Sequence, residues 1–168
     1  MSLSMYQASV PFFIRSLGNL QHVLQKGAAH AKAKNISDEV LLQTRMIPDM
    51  LPLIKQVQIA ADTAKNSAAR LAGVEALKFE DNETTLEQAH DRLTRTIEYL
   101  RTFKPEQIDG SEDRAVELKM RSGSQHFTGQ DYLFNFAIPN MLFHCVTAYD
   151  ILRQIGTDIG KKDFLAGA

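Results

Sequence analysis

Cysteine is almost missing from this chain: Cys145 is the only one in 168 residues. No internal disulfide can form, so a reducing cytoplasm is the expected compartment. Basic runs are missing as well. The longest clusters are Lys32/Lys34 and Lys161/Lys162, and the formal net charge is −1. Nucleic-acid binding ordinarily needs a concentrated basic face, so that class is set aside. No apolar run approaches the ~20 residues of a membrane span. Met1 to Leu20 also lacks the basic start and small-residue cleavage site of a signal peptide. There is no Gly-x-Gly-x-x-Gly, no Walker loop, no Cys-x-x-Cys and no Gly-x-Ser-x-Gly. Low-complexity segments and internal repeats are absent too. What remains is an ordinary globular composition, 44% apolar and 23% charged. It is enough for one domain over residues 1–168 with a full hydrophobic core.

The apolar residues recur with helical period. Val10, Phe13, Leu17, Leu20, Leu24, Gly27 and Ala31 share one face of a first helix from about Met5 to Ala31. Ser37 with Asp38 and Glu39 reads as an N-cap and acidic first turn, opening a short helix to about Thr44. A second long helix is expected from Pro48 or Asp49. Met50, Ile54, Val57, Ala61, Ala64, Ala68 and Leu71 form its stripe, and Gly73 is its left-handed stop. Thr84-Thr85-Leu86-Glu87 reads as a capping box. It opens a third helix with Leu86, Leu93, Ile97 and Leu100 inward, ending at Lys104-Pro105.

Residues 105 to 128 show no helical period. Within them Val116, Leu118 and Met120 alternate with charged residues, and Ser122-Gly123-Ser124 can turn that strand into a small hairpin. The fourth helix starts near Thr128 and stops at Gly156, with a kink at Pro139. The tail from Thr157 to Ala168 either packs or frays. Four amphipathic helices bury their stripes best against one another, so the fold class is all-α, a four-helix bundle with a possible small β-hairpin before the last helix.

Chemistry can hide at few places. Asn140 and His144 lie one turn apart on the inward face that Leu133, Ala137, Ala148 and Ile151 mark. Such a pair is either a hydrogen-bonded core pair or part of a ligand or metal site. Gln58 and Asp62 stand one turn apart at the edge of the second helix's stripe, and Asp49 stands near its start. These three are either solvated edge and cap residues or part of the same pocket. His90 is either a hydrogen-bonded core residue or a ligand. His22 and His30 read as surface residues, His126 as a loop residue able to swing over a pocket, and Cys145 as a buried filler.

Ser4-Met5-Tyr6, Pro48-Asp49-Met50, Phe127-Thr128-Gly129-Gln130-Asp131-Tyr132, Pro139-Asn140 with Phe143-His144, and Ala148-Tyr149-Asp150-Ile151-Leu152-Arg153 resemble a bacterial family of unknown function. That family lies in the DinB/YfiT-like superfamily, and the resemblance covers nearly the whole chain. It implies a four-helix bundle. In many superfamily members three histidines, one from the second helix and a His-x-x-x-His pair from the fourth, hold zinc or nickel. Some members are thiol-dependent transferases and others are metal-dependent hydrolases or isomerases. In this chain His144 falls at the second histidine of the pair and Asn140 at the first. The second helix has no histidine, Gln58 and Asp62 being its nearest polar candidates.

One strong ligand does not hold a transition metal tightly. The expectation is therefore a degenerate metal pocket serving small-molecule binding or packing. No cofactor is expected, and His144 is the ligand if a metal is present. The alternative is a metal-dependent transferase or hydrolase with a rebuilt ligand set such as His144, Asp62 and His126. A homodimer is also expected, because Phe12, Ile14 and Val23 lie off the main face of the first helix.

Overall fold

A computed structural model describes residues 3–120 and 123–166. Its long helices are α1 (Met5–Ala33), α3 (Leu53–Ala72), α4 (Leu86–Arg101) and α7 (Ile138–Gln154). Between them lie α2 (Asp38–Gln43), α5 (Pro105–Ile108), β1 (Val116–Met120), β2 (Gly123–Phe127) and α6 (Gly129–Tyr132). A π-helical turn, Leu133–Ala137, joins α6 to α7, and α8 (Lys161–Ala166) follows. The architecture is all-α with one antiparallel hairpin, as the helical stripes imply. Around the bundle α1 packs on α4 and α7, and α3 packs on the same two from the opposite side.

The caps explain where the helices begin and end. Ser4 with Gln7 and Thr85 with Gln88 form reciprocal capping boxes on α1 and α4. The partner on α4 is thus Gln88, not the Glu87 of the expected pattern. Ser37 accepts from the Val40 amide, and Thr128 from the Asp131 amide. Gly73 and Gly156 take positive φ, 70° and 94°, and stop α3 and α7. The core joins all four long helices: Phe13, Leu17, Leu53, Val57, Leu93, Leu133, Ala148 and Ile151 are fully buried. Each leucine so buried contributes roughly 1.5–3 kcal/mol of transfer free energy. Ala60, Ala61, Ala64 and Ala68, also fully buried, let α4 and α7 approach α3 closely.

Two helix boundaries differ from the sequence expectation. α3 begins at Leu53 rather than Pro48 or Asp49, with Pro52 as its N-cap. A helix begun at Pro48 would press the Pro52 ring onto the Pro48 carbonyl, and Pro52 also biases Leu51 to extended backbone. Met50 and Asp49 therefore sit in a turn outside the helix, and Asp49 is exposed. α4 ends at Arg101 instead of Lys104, and Pro105 opens the extra turn α5 as its first helical residue.

At Pro139 the chain does not simply lose a bond. The π turn precedes it, with the Ile138 amide donating to the Leu133 carbonyl, which absorbs the break one turn upstream.

The hairpin pairs Val116 with Phe127 through Met120 with Gly123. Ser122 of the expected turn lies outside the described residues. Val116 and Leu118 are buried, so one face of the hairpin closes onto the bundle. The tail packs: Asp163 in α8 meets Lys26 at 2.8 Å and His22 at 3.1 Å on α1. Gly167 and Ala168 lie outside the described residues. Val23, expected off the main face of α1, is fully buried, because α1 is covered on several sides, α8 included.

Candidate functional site

α3 is buried almost all round, so its polar residues must find partners inside the protein. Three groups result.

The first is a bond between α3 and α7. His144 Nδ1 lies 2.7 Å from Gln56 Oε1. Gln56 Nε2 donates to the Leu51 carbonyl at 2.8 Å. The amide is thereby oriented, and its oxygen can only accept from the imidazole. His144 therefore carries its proton on Nδ1. Its side of α7 is buried, and burial holds its pKa below the ordinary histidine value. The expected mutual bond between His144 and Asn140 does not form.

The second group is a cleft. Asn140 Nδ2 donates to Thr63 Oγ1 at 2.9 Å. These two close one end of a cleft of about 320 Å³, floored by α3 and walled by the π turn and α7. Asp62, Thr63, Asn66 and Arg70 point into it from one face of α3, at three- and four-residue steps. Tyr132, Phe136 and Asn140 face them at four-residue steps, and Leu118 and Lys119 of β1 form the roof. Arg70 Nη1 donates to the Tyr132 hydroxyl at 3.0 Å, and that oxygen lies 2.8 Å from Ser67 Oγ. The Tyr132 and Phe136 rings stack, 19° apart with centroids at 5.9 Å.

The third group centres on Arg92, which is 1% exposed. Its guanidinium meets Asp62 at 3.1 Å, Asp81 at 3.0 Å and Glu83 at 2.7 Å, and donates to the Glu80 carbonyl at 3.0 Å. Lys65 pairs with Asp62 and Lys55 with Asp81, each at 3.0 Å. Three cations thus balance three carboxylates. Gln58 Nε2 donates to Glu83 at 2.7 Å. Burial pushes the Glu83 carboxyl upward, but hydrogen bonds from Arg92 and Gln58 outweigh it and hold the group below its ordinary range.

The four candidates from sequence therefore separate. Asn140 and Asp62 share the cleft. His144 faces Gln56, and Gln58 belongs to the Arg92 cluster. His90 is half-buried, its Nε2 lying 2.8 Å from the Gln25 amide nitrogen beside a separate, mainly apolar hollow. His22 and His30 are half-buried rather than surface residues, bound to Asp163 and to the Ile155 carbonyl. His126 is exposed on β2, opposite Glu117 and away from the cleft lining. Cys145 is buried and its thiol pKa is pushed up to about 12, so it is an inert filler.

Sequence reasoning missed Gln56, Arg70, Tyr132 and Arg92. Arg92 carried a signal: it follows Ala89 by three and precedes Thr96 by four, on the stripe of its helix, while Asp81 and Glu83 precede it in the loop.

A crystal structure at 1.83 Å resolution of a DinB family member protein from Shewanella denitrificans is 37% identical to this chain, with a TM-score of 0.87. The match covers 96% of this chain and 91% of that one. No curated protein matches significantly. The profile described as "Domain of unknown function (DUF1993)" matches residues 5–165, so this chain, a DinB-like helical bundle, belongs to the DUF1993 family.

Proposed function

We propose that this protein is a non-catalytic bundle that binds a small molecule in the cleft between α3, the π turn with α7, and the hairpin. One observation carries the reading. Asn140 and His144, one turn apart, serve different neighbours: Asn140 closes the cleft on Thr63, and His144 is turned to Gln56. Among the described residues no nucleophile with an adjacent base faces the cleft. What lines it is apolar and aromatic surface with a few amide, hydroxyl and charged groups, the make-up of a recognition site.

The donor set does not fit the metal of the wider superfamily. Among the described residues no three His, Cys, Asp or Glu side chains gather to hold an ion. An asparagine amide is a weak ligand, Asp62 is already matched by Lys65 and Arg92, and His144, with Nδ1 bound to Gln56, offers Nε2 as one strong donor, too few to hold a transition metal tightly.

A fragment screen by ¹⁵N NMR tests the proposal. Hits should perturb amides in 59–70 and 132–140, and Asn140→Leu should abolish them. Hits that map elsewhere, or turnover requiring added metal, would overturn it.

We also propose a homodimer, with the contact moved from α1 to the outer face of α7. There Phe143 and Val146 are 57% and 42% exposed, and Ile47 is 52% exposed beside them. They border an apolar groove of about 540 Å³ that Met46, Met50 and Leu142 continue. Exposed apolar surface of this continuity ordinarily marks an interface. The single thiol, buried and unreactive, is in keeping with a cytoplasmic setting.

A further inference from the structure

We infer that the cleft recognises a small organic anion, an aryl carboxylate carrying a second polar group opposite its acid, through Arg70. The inference rests on reading the cleft as a binding site.

Among the described residues only two arginines are not exposed: Arg92 is buried and Arg70 is half-buried. Arg92 has three carboxylates. Arg70 has none within 4 Å among the described residues. Its one side-chain bond there is to the Tyr132 hydroxyl, and its guanidinium lies 5.7 Å over the Tyr132 ring. That contact uses Nη1 and orients the fork, leaving Nε and Nη2 without a protein acceptor among the described residues. A planar fork held in place beside an aromatic wall is suited to bidentate binding of a carboxylate.

Charge points the same way. Asp62 is the carboxylate in the cleft, and Lys65 and Arg92 already balance it. Lys119 on the roof has no carboxylate within 4 Å among the described residues, its charge being felt by Glu117 two residues back on β1. The cleft is therefore cationic on balance.

Size and spacing narrow the ligand further. About 320 Å³ is at the small end for a ligand pocket. Arg70 and Thr63 are seven residues apart on α3, roughly 10 Å along its axis. An acid bound at Arg70 can lay one ring against Phe136 and bring a para substituent to the Thr63–Asn140 end. There Asn140 Oδ1 makes no hydrogen bond among the described residues.

The test uses 4-hydroxybenzoate and its neutral analogue 4-hydroxybenzamide, titrated into ¹⁵N-labelled full-length protein. The acid should perturb amides at both ends of the cleft, near Arg70 and near Asn140, and bind at least tenfold tighter than the amide. Added salt should weaken only the acid. Arg70→Gln should remove the tenfold preference. Arg70→Lys should keep part of it, because it retains the charge without the fork. Should Arg70→Gln lower stability by freeing Tyr132, Lys119→Gln still reads the charge, as a smaller loss for the acid alone.

Equal affinity for acid and amide at the cleft would overturn the anion while leaving the binding site in place. Absence of cleft shifts with either compound would also overturn the anion, and the broader fragment screen decides separately whether the cleft binds anything.

Discussion

His144 and Gln56 are joined across the α3–α7 interface by one hydrogen bond of 2.7 Å, and the Leu51 carbonyl, 2.8 Å from the Gln56 amide nitrogen, dictates its direction. A backbone group before α3 thus selects the tautomer of a ring on α7. His144→Ala would leave the Gln56 oxygen buried without its donor. The expected cost is roughly 1–3 kcal/mol, read as a lower melting temperature. An unchanged melting temperature would count against this structural role.

The same ring makes stability depend on pH. Burial lowers its folded-state pKa from the ordinary 6.5. Well above pH 6.5 the ring is neutral in folded and unfolded chains alike and imposes no penalty. As the pH falls below 6.5 the unfolded chain takes up the proton first, so stability declines until the folded ring is protonated too. Urea midpoints measured from pH 7.5 to 5 should fall for the native chain and stay flatter for His144→Ala.

Arg92 is the side chain whose loss should harm the fold most. Arg92→Met leaves Asp62, Asp81 and Glu83 gathered around an apolar stub. Breaking one side of a buried ion cluster costs about 3–5 kcal/mol. In the native chain Asp81 and Glu83 keep pKa values below the ordinary 3.8 and 4.5. Their contribution is present above those values and is lost as the pH falls through the lower folded ones. Arg92→Met should weaken that acid-side dependence, Lys55 and Gln58 keeping part of it, and a chemical denaturation series against pH checks it.

Asp163 fastens the C-terminal helix. Lys26, the Gly160 amide and His22 hold its carboxyl far below the usual range, so the ionised form persists well under pH 3.8. Asp163→Asn should raise hydrogen exchange in 160–166 while leaving the centres of α3 and α7 protected. Exchange mass spectrometry showing no change in α8 would contradict this.

Protein purified without a histidine tag should carry no stoichiometric zinc or nickel, given Asn140 and the absence of histidine from α3. Elemental analysis finding about one ion per chain, released by His144→Ala, would refute the expectation.

Light scattering at tens of micromolar should give twice the chain mass, and Phe143→Glu should halve it. A native chain that runs as a monomer would remove the dimer.

Most of the fold was legible because helical stripes, caps and glycine stops are local features. Ser37, Gly73, Thr128 and Gly156 each act where their chemistry predicts. The site was less legible for reasons that lie between elements. An uninterrupted α-helix through Leu133 would centre Asn140 and His144 on the inward face. The π turn spends about one more residue than an α turn and shifts that phase. Met141 and Cys145 become the buried centre, leaving Asn140 and His144 on the flank toward α3. Gln56 carries no sequence signal and Arg92 only its place on a helical stripe, and the partners of each are fixed by residues that packing brings close. Pro52 was legible in principle, but its consequence for Pro48 depends on which of the two begins the helix.

The irregular stretch from Val74 to Thr84 has little apolar anchorage, with Val74 and Leu77 about half exposed. It is tied down through Asp81 and Glu83 to Arg92 and Lys55, and through Phe79, whose ring has Lys65 at 4.6 Å and Arg95 at 4.4 Å. Those anchors stand on α3 and α4, so the stretch has nothing to grip until the two helices have docked. Once folded, it can open by itself at less than the cost of global unfolding, exposing the chain between α3 and α4 to a protease while the bundle stays intact.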